Sequence, residues 1–177
     1  GRPVFVVGKH TIEKFGRMGF PEDRLVNLPI FINIPASDTM RDEEIEEVRN
    51  RYGVRSDEVF FVAASRLTYN KGYDLLVEAA SRISQDILDR IKVLIVGTGP
   101  ERENLHALVH QKQLGKRVLF EDWLELRDYE CVLRSADVVV HPARFDAFGG
   151  GTLYAMALGV PVLGSDGAGA AVERIES

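Results

Sequence analysis

Short runs of Val, Ile and Phe alternate with amphipathic stretches along almost the whole chain, and this alternation limits the fold more than any other feature. The runs Pro3–Val7, Val59–Ala64, Ile91–Val96, Val118–Phe120, Val138–His141 and Val160–Leu163 are almost continuously apolar. Strands buried on both faces read this way, whereas half-exposed strands alternate polar and apolar residues. Between the runs, Leu75, Leu76, Ala79, Ala80 and Ile83 recur at helical period, as do Leu105, Leu108 and Val109. Such alternation predicts right-handed βαβ crossovers and an α/β fold: a doubly wound, Rossmann-like parallel sheet with helices on both faces.

The whole chain, 1–177, reads as a single domain. A lead-in βαβ segment occupies 1–35, with a strand, a helix Thr11–Met18 and a second strand Leu25–Ile32. A connector, Asn33–Arg41, and an acidic helix, Asp42–Tyr52, fill the stretch to 57, and the main core runs over 58–177. In that helix Glu43–Glu47 reads as a solvated face. Gly1 stands almost at a strand and Ser177 within a helical stretch, so the chain is expected to be excised from a longer protein.

Composition excludes several classes. The net charge is −5, with 22 Lys+Arg against 27 Asp+Glu, which argues against a nucleic-acid partner. A small anion needs only local donors and is not excluded. No run approaches the roughly 18 apolar residues of a membrane span, and Gly1-Arg2-Pro3 does not open a signal peptide. The single cysteine, Cys131, cannot form an internal bridge and reads as a small core residue, which fits a reducing, cytoplasmic setting.

Ligands of open parallel sheets bind beyond the carboxyl ends of the strands, so the loops there carry the chemistry. After Val59–Ala64 comes Ser65-Arg66-Leu67-Thr68-Tyr69-Asn70-Lys71-Gly72, leading to a helix from Tyr73. Arg66 and Lys71 can converge on one anion, Arg as a planar fork and Lys as a mobile point charge. Taken alone they are as readily two surface cations. After Ile91–Val96 comes Gly97-Thr98-Gly99-Pro100, then a helix Glu101–Gln113. Gly97 and Gly99 let backbone approach a ligand, but Glu101 and Glu103 oppose an anion at that helix start, so a base or sugar suits it better. After Val138–His141 comes Pro142-Ala143-Arg144-Phe145-Asp146-Ala147-Phe148-Gly149-Gly150-Gly151-Thr152, ahead of a helix over 152–158 that stops at Gly159. Three glycines with no carboxylate in the first turn leave unpaired N–H groups and the positive end of the dipole facing a ligand. A structural cap would more often use one glycine with Ser or Asp. Asp146 is placed to accept hydrogen bonds from a hydroxyl-rich group such as a sugar. The small-residue loop Gly164–Gly169 reads equally as a pocket rim or a capped turn.

Other signals are weaker. His106 and His110 stand four apart on one helix but lack the Glu and third ligand of a metal site, so no metal is expected. His141 reads as structural. Gly8-Lys9-His10 lacks the rest of a P-loop, and no Gly-x-Gly-x-x-Gly or Gly-x-Ser-x-Gly appears.

Together these loops resemble the C-terminal domain of the retaining glycosyltransferases of GT-B architecture that include glycogen synthases, sucrose synthases and many mannosyl- and glucosyltransferases. The likeness rests on Ser65-Arg66-Leu67 with Lys71-Gly72, Val96-Gly97-Thr98-Gly99-Pro100-Glu101, Ala136-Asp137-Val138 with Pro142, Asp146-Ala147-Phe148-Gly149, and Ala155-Met156-Ala157-Leu158-Gly159-Val160-Pro161-Val162. It implies a UDP-, GDP- or ADP-sugar as substrate, no cofactor and no metal, and hexosyl transfer with retention to a glycan or lipid-linked acceptor. By that likeness Arg66 and Lys71 hold the diphosphate, and backbone N–H groups around Phe148, Gly149, Gly150, Gly151 and Thr152 bind phosphate and sugar. Asp146 takes the first carboxylate position of a Glu-x7-Glu pattern, near the donor sugar's hydroxyls. Tyr154 stands where the family's second Glu grips the ribose. Trp123 and Leu124 lie beside the nucleobase, preceded by Asp122 where the family tends to have Gly. The acceptor site, the main catalytic residues and any peripheral membrane contact would fall to an N-terminal domain absent here, leaving the isolated domain inactive. A non-catalytic relative with a ribose site reshaped by Tyr154 is the competing reading, and a GT-B epimerase a third.

Overall fold

The structure is a computed structural model that describes residues 1–28, 30–31 and 40–175. The expected connector 33–41 lies almost wholly outside these residues, as do part of the expected strand 25–32 and the last two positions of the chain.

Two parallel sheets are present among the described residues. β1 (Val4–Val6) pairs with β2 (Leu25–Asn27) around α1 (Lys9–Arg17). The larger sheet has β3 (Val59–Ala64), β4 (Ile91–Val96), β5 (Val118–Glu121), β6 (Val138–His141) and β7 (Val162–Gly164) in the order β5-β4-β3-β6-β7. All its pairings are parallel. The doubly wound expectation therefore holds. The chain builds outward from β3 through β4 to β5, returns to β6 on the other side of β3, and ends at β7. Its topological switch point lies between β3 and β6, where the loops at Ser65 and Pro142 leave the sheet side by side.

Both faces of the sheet are covered. Phe60, Val62, Leu94 and Val96 point to the side of α2 (Asp42–Arg51), α6 (Leu126–Ser135) and α7 (Gly150–Ala157), meeting Tyr52, Val132, Leu133 and Ala155. Ala63, Val93 and Ile95 point the other way, to α3 (Tyr73–Ala80), α4 (Gln85–Leu88) and α5 (Arg102–Gln111), meeting Tyr73, Val77, Leu105 and Val109. Alternate strand residues thus feed opposite layers, which is why the strands read as unbroken apolar runs. Each fully buried Val, Leu or Phe contributes about 1.5–3 kcal/mol relative to exposure. Cys131 is buried in the first layer, as a small core residue should be, and burial pushes its thiol pKa up.

Several boundaries differ from expectation for local reasons. α1 begins two residues before Thr11 because Gly8, at φ 82°, turns the chain straight out of β1. β7 begins at Val162, not Val160: the Val160 N–H closes α7 by donating to the Ala155 carbonyl at 2.9 Å, and Pro161 has no N–H to give a ladder. Glu44 in α2 is not simply solvated, since its carboxylate accepts the Arg41 N–H at 2.9 Å and pairs with Arg127. The lead-in is tied to the core by His10, whose Nε2 lies 2.8 Å from the Asp166 carbonyl, and by Lys14 over the Phe145 ring. The final helix, α8 (Gly169–Arg174), follows the loop after β7.

Candidate functional site

Two loops meet at the switch point and are stitched together. The amides of Arg144 and Phe145 donate to the Asn70 carbonyl at 2.9 and 3.1 Å, and the Asn70 side chain returns a bond to the Phe145 carbonyl at 2.9 Å. Arg144 grips Asp74 in a two-pronged pair at 2.6 and 2.5 Å and covers the Tyr69 ring at 4.2 Å. The Arg144 hydrogen bonds hold the Asp74 carboxyl below its usual range. Arg144 is therefore committed to holding the loops.

The loop after β3 is pinned from beneath by Leu67, which is fully buried and exchanges backbone bonds with Thr98 and Glu101. Gly97, at φ 138°, lies where a Cβ would collide with the Ser65 carbonyl. The Leu67 carbonyl likewise fills the space beside Gly99. Gly99 thus serves the fit of one loop on another and is not on the cleft lining described below, whereas Gly97 is.

The cleft, about 470 Å³, opens at the carboxyl ends of β3 and β4. Ala64, Ser65, Val96 and Gly97 form its base, Trp123, Leu124, Glu125, Leu126 and Tyr129 one side, and Gly150, Gly151 and Tyr154 the other. Trp123 is 70% exposed on the rim, available for stacking. Asp122, just before Trp123, is not on this lining and pairs with Arg102.

α7 starts at Gly150, two residues earlier than the apolar pattern indicated, because the glycines themselves enter the helix. Gly149, at φ 87°, caps it without a side-chain bond, and the first turn carries no carboxylate. The N–H groups of Gly150 and Gly151 have no partner among the described residues. They face the cleft with the helix's positive end, equivalent to roughly half a unit charge. Phe148 and Thr152 do not share that role. The Phe148 N–H turns to Asp146 at 3.3 Å, and its ring is buried. Thr152 is 1% exposed behind the cleft, its hydroxyl without a partner among the described residues.

Arg66 is exposed and has no side-chain bond or ion pair among the described residues. Lys71 differs. Its ammonium contacts the Asp146 carboxylate directly, with the two side chains only 11% and 13% exposed. The same carboxylate oxygen lies 2.9 Å from His141 Nε2. An ionised carboxylate only accepts, so His141 carries its proton on Nε2. Burial opposes ionisation of Asp146, but the bonds from His141 and Lys71 outweigh it and hold the carboxyl well below the usual range. His141, read from sequence as merely structural, is thus a partner of Asp146. Tyr129 was also missed: its place on the cleft wall comes from the packing of α6 on α7, which no local pattern announces.

Among the described residues no cluster of three metal-ligating side chains occurs, and no helix is long and apolar enough to cross a membrane.

Comparison with known proteins gives a consistent assignment. A family model described as "Glycosyl transferases group 1" matches residues 44–177. An uncharacterized glycosyltransferase of Methanocaldococcus jannaschii is 35% identical over 121 residues, covering 68% of this chain and 30% of that protein. A GDP-mannose-dependent alpha-(1-6)-phosphatidylinositol monomannoside mannosyltransferase of Mycolicibacterium smegmatis is 30% identical over 94% of this chain and 45% of its own length. Among solved structures, HepE of Anabaena in complex with UDP-glucose superposes with a TM-score of 0.83 at 22% identity, over all of this chain and 48% of that one. The chain thus spans less than half the length of each of these proteins. Its Rossmann-like fold is that of GT-B glycosyltransferases, and the chain belongs to the glycosyl transferases group 1 family.

Proposed function

We propose that this chain is the donor-binding domain of a retaining glycosyltransferase. The observation that carries the reading is the pair of unpartnered N–H groups at Gly150 and Gly151, opening into the same cleft that Ser65 and Gly97 floor, with unpaired Arg66 on the adjoining loop. A nucleoside diphosphate has the matching shape: a flat base for Trp123 and Leu124, and a diphosphate for the helix start and Arg66. The sugar then lies toward Asp146. As the phosphates arrive, Lys71 transfers from Asp146 to phosphate oxygens, which frees the carboxylate to accept sugar hydroxyls. The leaving diphosphate is neutralised by these groups without a metal.

The relatives support this. One is named for its dependence on GDP-mannose, and HepE was solved with UDP-glucose. A hexose as the transferred group, retention at the anomeric carbon and a cytoplasmic setting follow the same reading. Acceptor recognition and the remaining catalytic groups we assign to the part of such enzymes that this chain does not span, so that transfer requires that part.

Calorimetric titration with UDP, GDP and ADP, without added metal, tests the proposal. One nucleotide should bind, and Arg66→Ala should weaken it about 10–100-fold, the loss of one charge-assisted hydrogen bond of about 1.5–3 kcal/mol. Equal affinity in the Arg66→Ala variant would remove the diphosphate from this loop.

A further inference from the structure

Two phenols stand on the cleft lining beside the Gly150–Gly151 turn. Tyr129 of α6 and Tyr154 of α7 meet edge to face, with ring centroids 5.9 Å apart. The Tyr129 oxygen lies 2.9 Å from the point a Cβ on Gly151 would occupy, so this hydroxyl stands beside the start of α7. Neither hydroxyl has a hydrogen-bond partner among the described residues. Both residues are half-buried: their rings pack into the cleft wall and their polar ends are left for water or for a ligand that brings its own polar atoms. Burial pushes Tyr129 up to about 12, so it meets that ligand as a neutral hydrogen-bond donor.

Resting on the donor-site reading above, the furanose of the nucleotide falls between the base slot at Trp123 and the phosphate groups at Gly150. That is where the phenols stand. A carboxylate can grip a vicinal diol with both oxygens and so demands both hydroxyls, whereas a phenol offers a single oxygen. Among the described residues the one carboxylate on the cleft lining is Glu125, exposed on the side of Trp123, and α7 contributes none. We propose that Tyr129 donates to an oxygen on the phosphate side of the furanose and Tyr154 bonds its 3′-hydroxyl. The 2′-carbon then rests on aromatic surface with no protein group for a 2′-hydroxyl. The cleft therefore takes 2′-deoxyribonucleoside diphosphates, and sugars carried on them, about as well as their ribose counterparts.

The test is calorimetric titration of the full chain with the ribo and 2′-deoxy forms of UDP, GDP and ADP. For the base that binds, the two dissociation constants should agree within about threefold, less than one neutral hydrogen bond. Tyr129→Phe and Tyr154→Phe keep the rings in place, and each should weaken both forms by about 2–10-fold without changing their ratio. Tyr154→Glu should raise the preference for the ribo form to about tenfold or more. A tenfold preference for the ribo form in the unaltered chain overturns this inference and leaves the donor site standing. Unchanged affinity in both Phe variants overturns it too, since the phenols would then touch no ligand. Failure of every nucleotide to bind removes the donor-site reading along with it.

Discussion

Replacing Asp146 by Asn isolates the charge at the junction of the two loops. The amide keeps the size of the carboxylate and one oxygen that can still accept. It loses the negative charge that faces both Lys71 and His141. Both side chains of the Lys71–Asp146 contact are nearly nine-tenths buried, so solvent screens the loss only in part. Hydrogen bonds to a charged group contribute about 1.5–3 kcal/mol. Deleting one partner of a fully buried pair costs about 3–5 kcal/mol, an upper bound here because the Lys71 stem can swing its ammonium toward water. The expected loss is therefore about 1.5–3 kcal/mol. For a chain of this length that lowers Tm by about 3–12 °C.

The pH dependence fixes the cause. The Asp146 carboxyl titrates below the usual range in the folded chain, while an unfolded Asp titrates near about 3.9. Its contribution is thus present above pH of about 4 and fades as pH falls through the depressed folded value. The Asn variant has no such group. The stability gap between the two proteins, measured by urea denaturation, should be full at pH 7 and narrow below about pH 4. A gap that stays constant down to the lowest pH at which both remain folded would show that shape, not charge, holds the loops, and the electrostatic account would be wrong.

Two other substitutions separate stability from binding. Gly97→Ala places a methyl on the Ser65 carbonyl in a backbone region that L-residues avoid, so we expect a loss of about 2–4 kcal/mol in denaturant unfolding; a loss below about 0.5 kcal/mol would mean the two loops are not packed as described. Gly150→Asp meets open space and should raise stability by about 0.5–1.5 kcal/mol through the helix dipole and the removal of a glycine, while nucleotide titration shows binding abolished; retained affinity would move the phosphates away from α7.

The sheet was legible because its central strands are covered on both sides, which leaves continuous apolar runs such as Phe60–Ala64 and Val93–Val96 with nothing to confuse them. Edge elements were less legible. β7 has three residues and is set by where α7 lets go, a matter of one Val160 hydrogen bond. Of the residues singled out in the sequence, Gly150, Gly151, Trp123, Leu124 and Tyr154 lie on the cleft lining, because loops at the strands' carboxyl ends gather there, and Arg66 is exposed on the adjoining loop. What could not be read was which partners those residues already had. Lys71 and Asp146 are 75 residues apart in the chain, and only the β3–β6 adjacency brings them into contact. Phe148 is a second case: its place in a glycine-rich motif suggested an N–H for the ligand, and in the structure that N–H donates to Asp146.

This distribution of partners shows how a chain of net charge −5 is compatible with the proposed anion site. Arg144, Arg102, Arg117 and Arg127 all stand near strand ends or helix starts, and each is neutralised by Asp74, Asp122, Glu58 or Glu44. Ion pairs of this kind remove fields that would otherwise draw an anion to the wrong place. At the cleft the pairing stops: Arg66 has no counter-ion among the described residues, and α7 begins without an acidic residue. Lys71 is paired with Asp146, and on the proposed reading it changes partner when phosphate arrives. Specific attraction for a diphosphate therefore needs no excess of basic residues. It needs two groups left unpaired at the switch point and a third that can change partners.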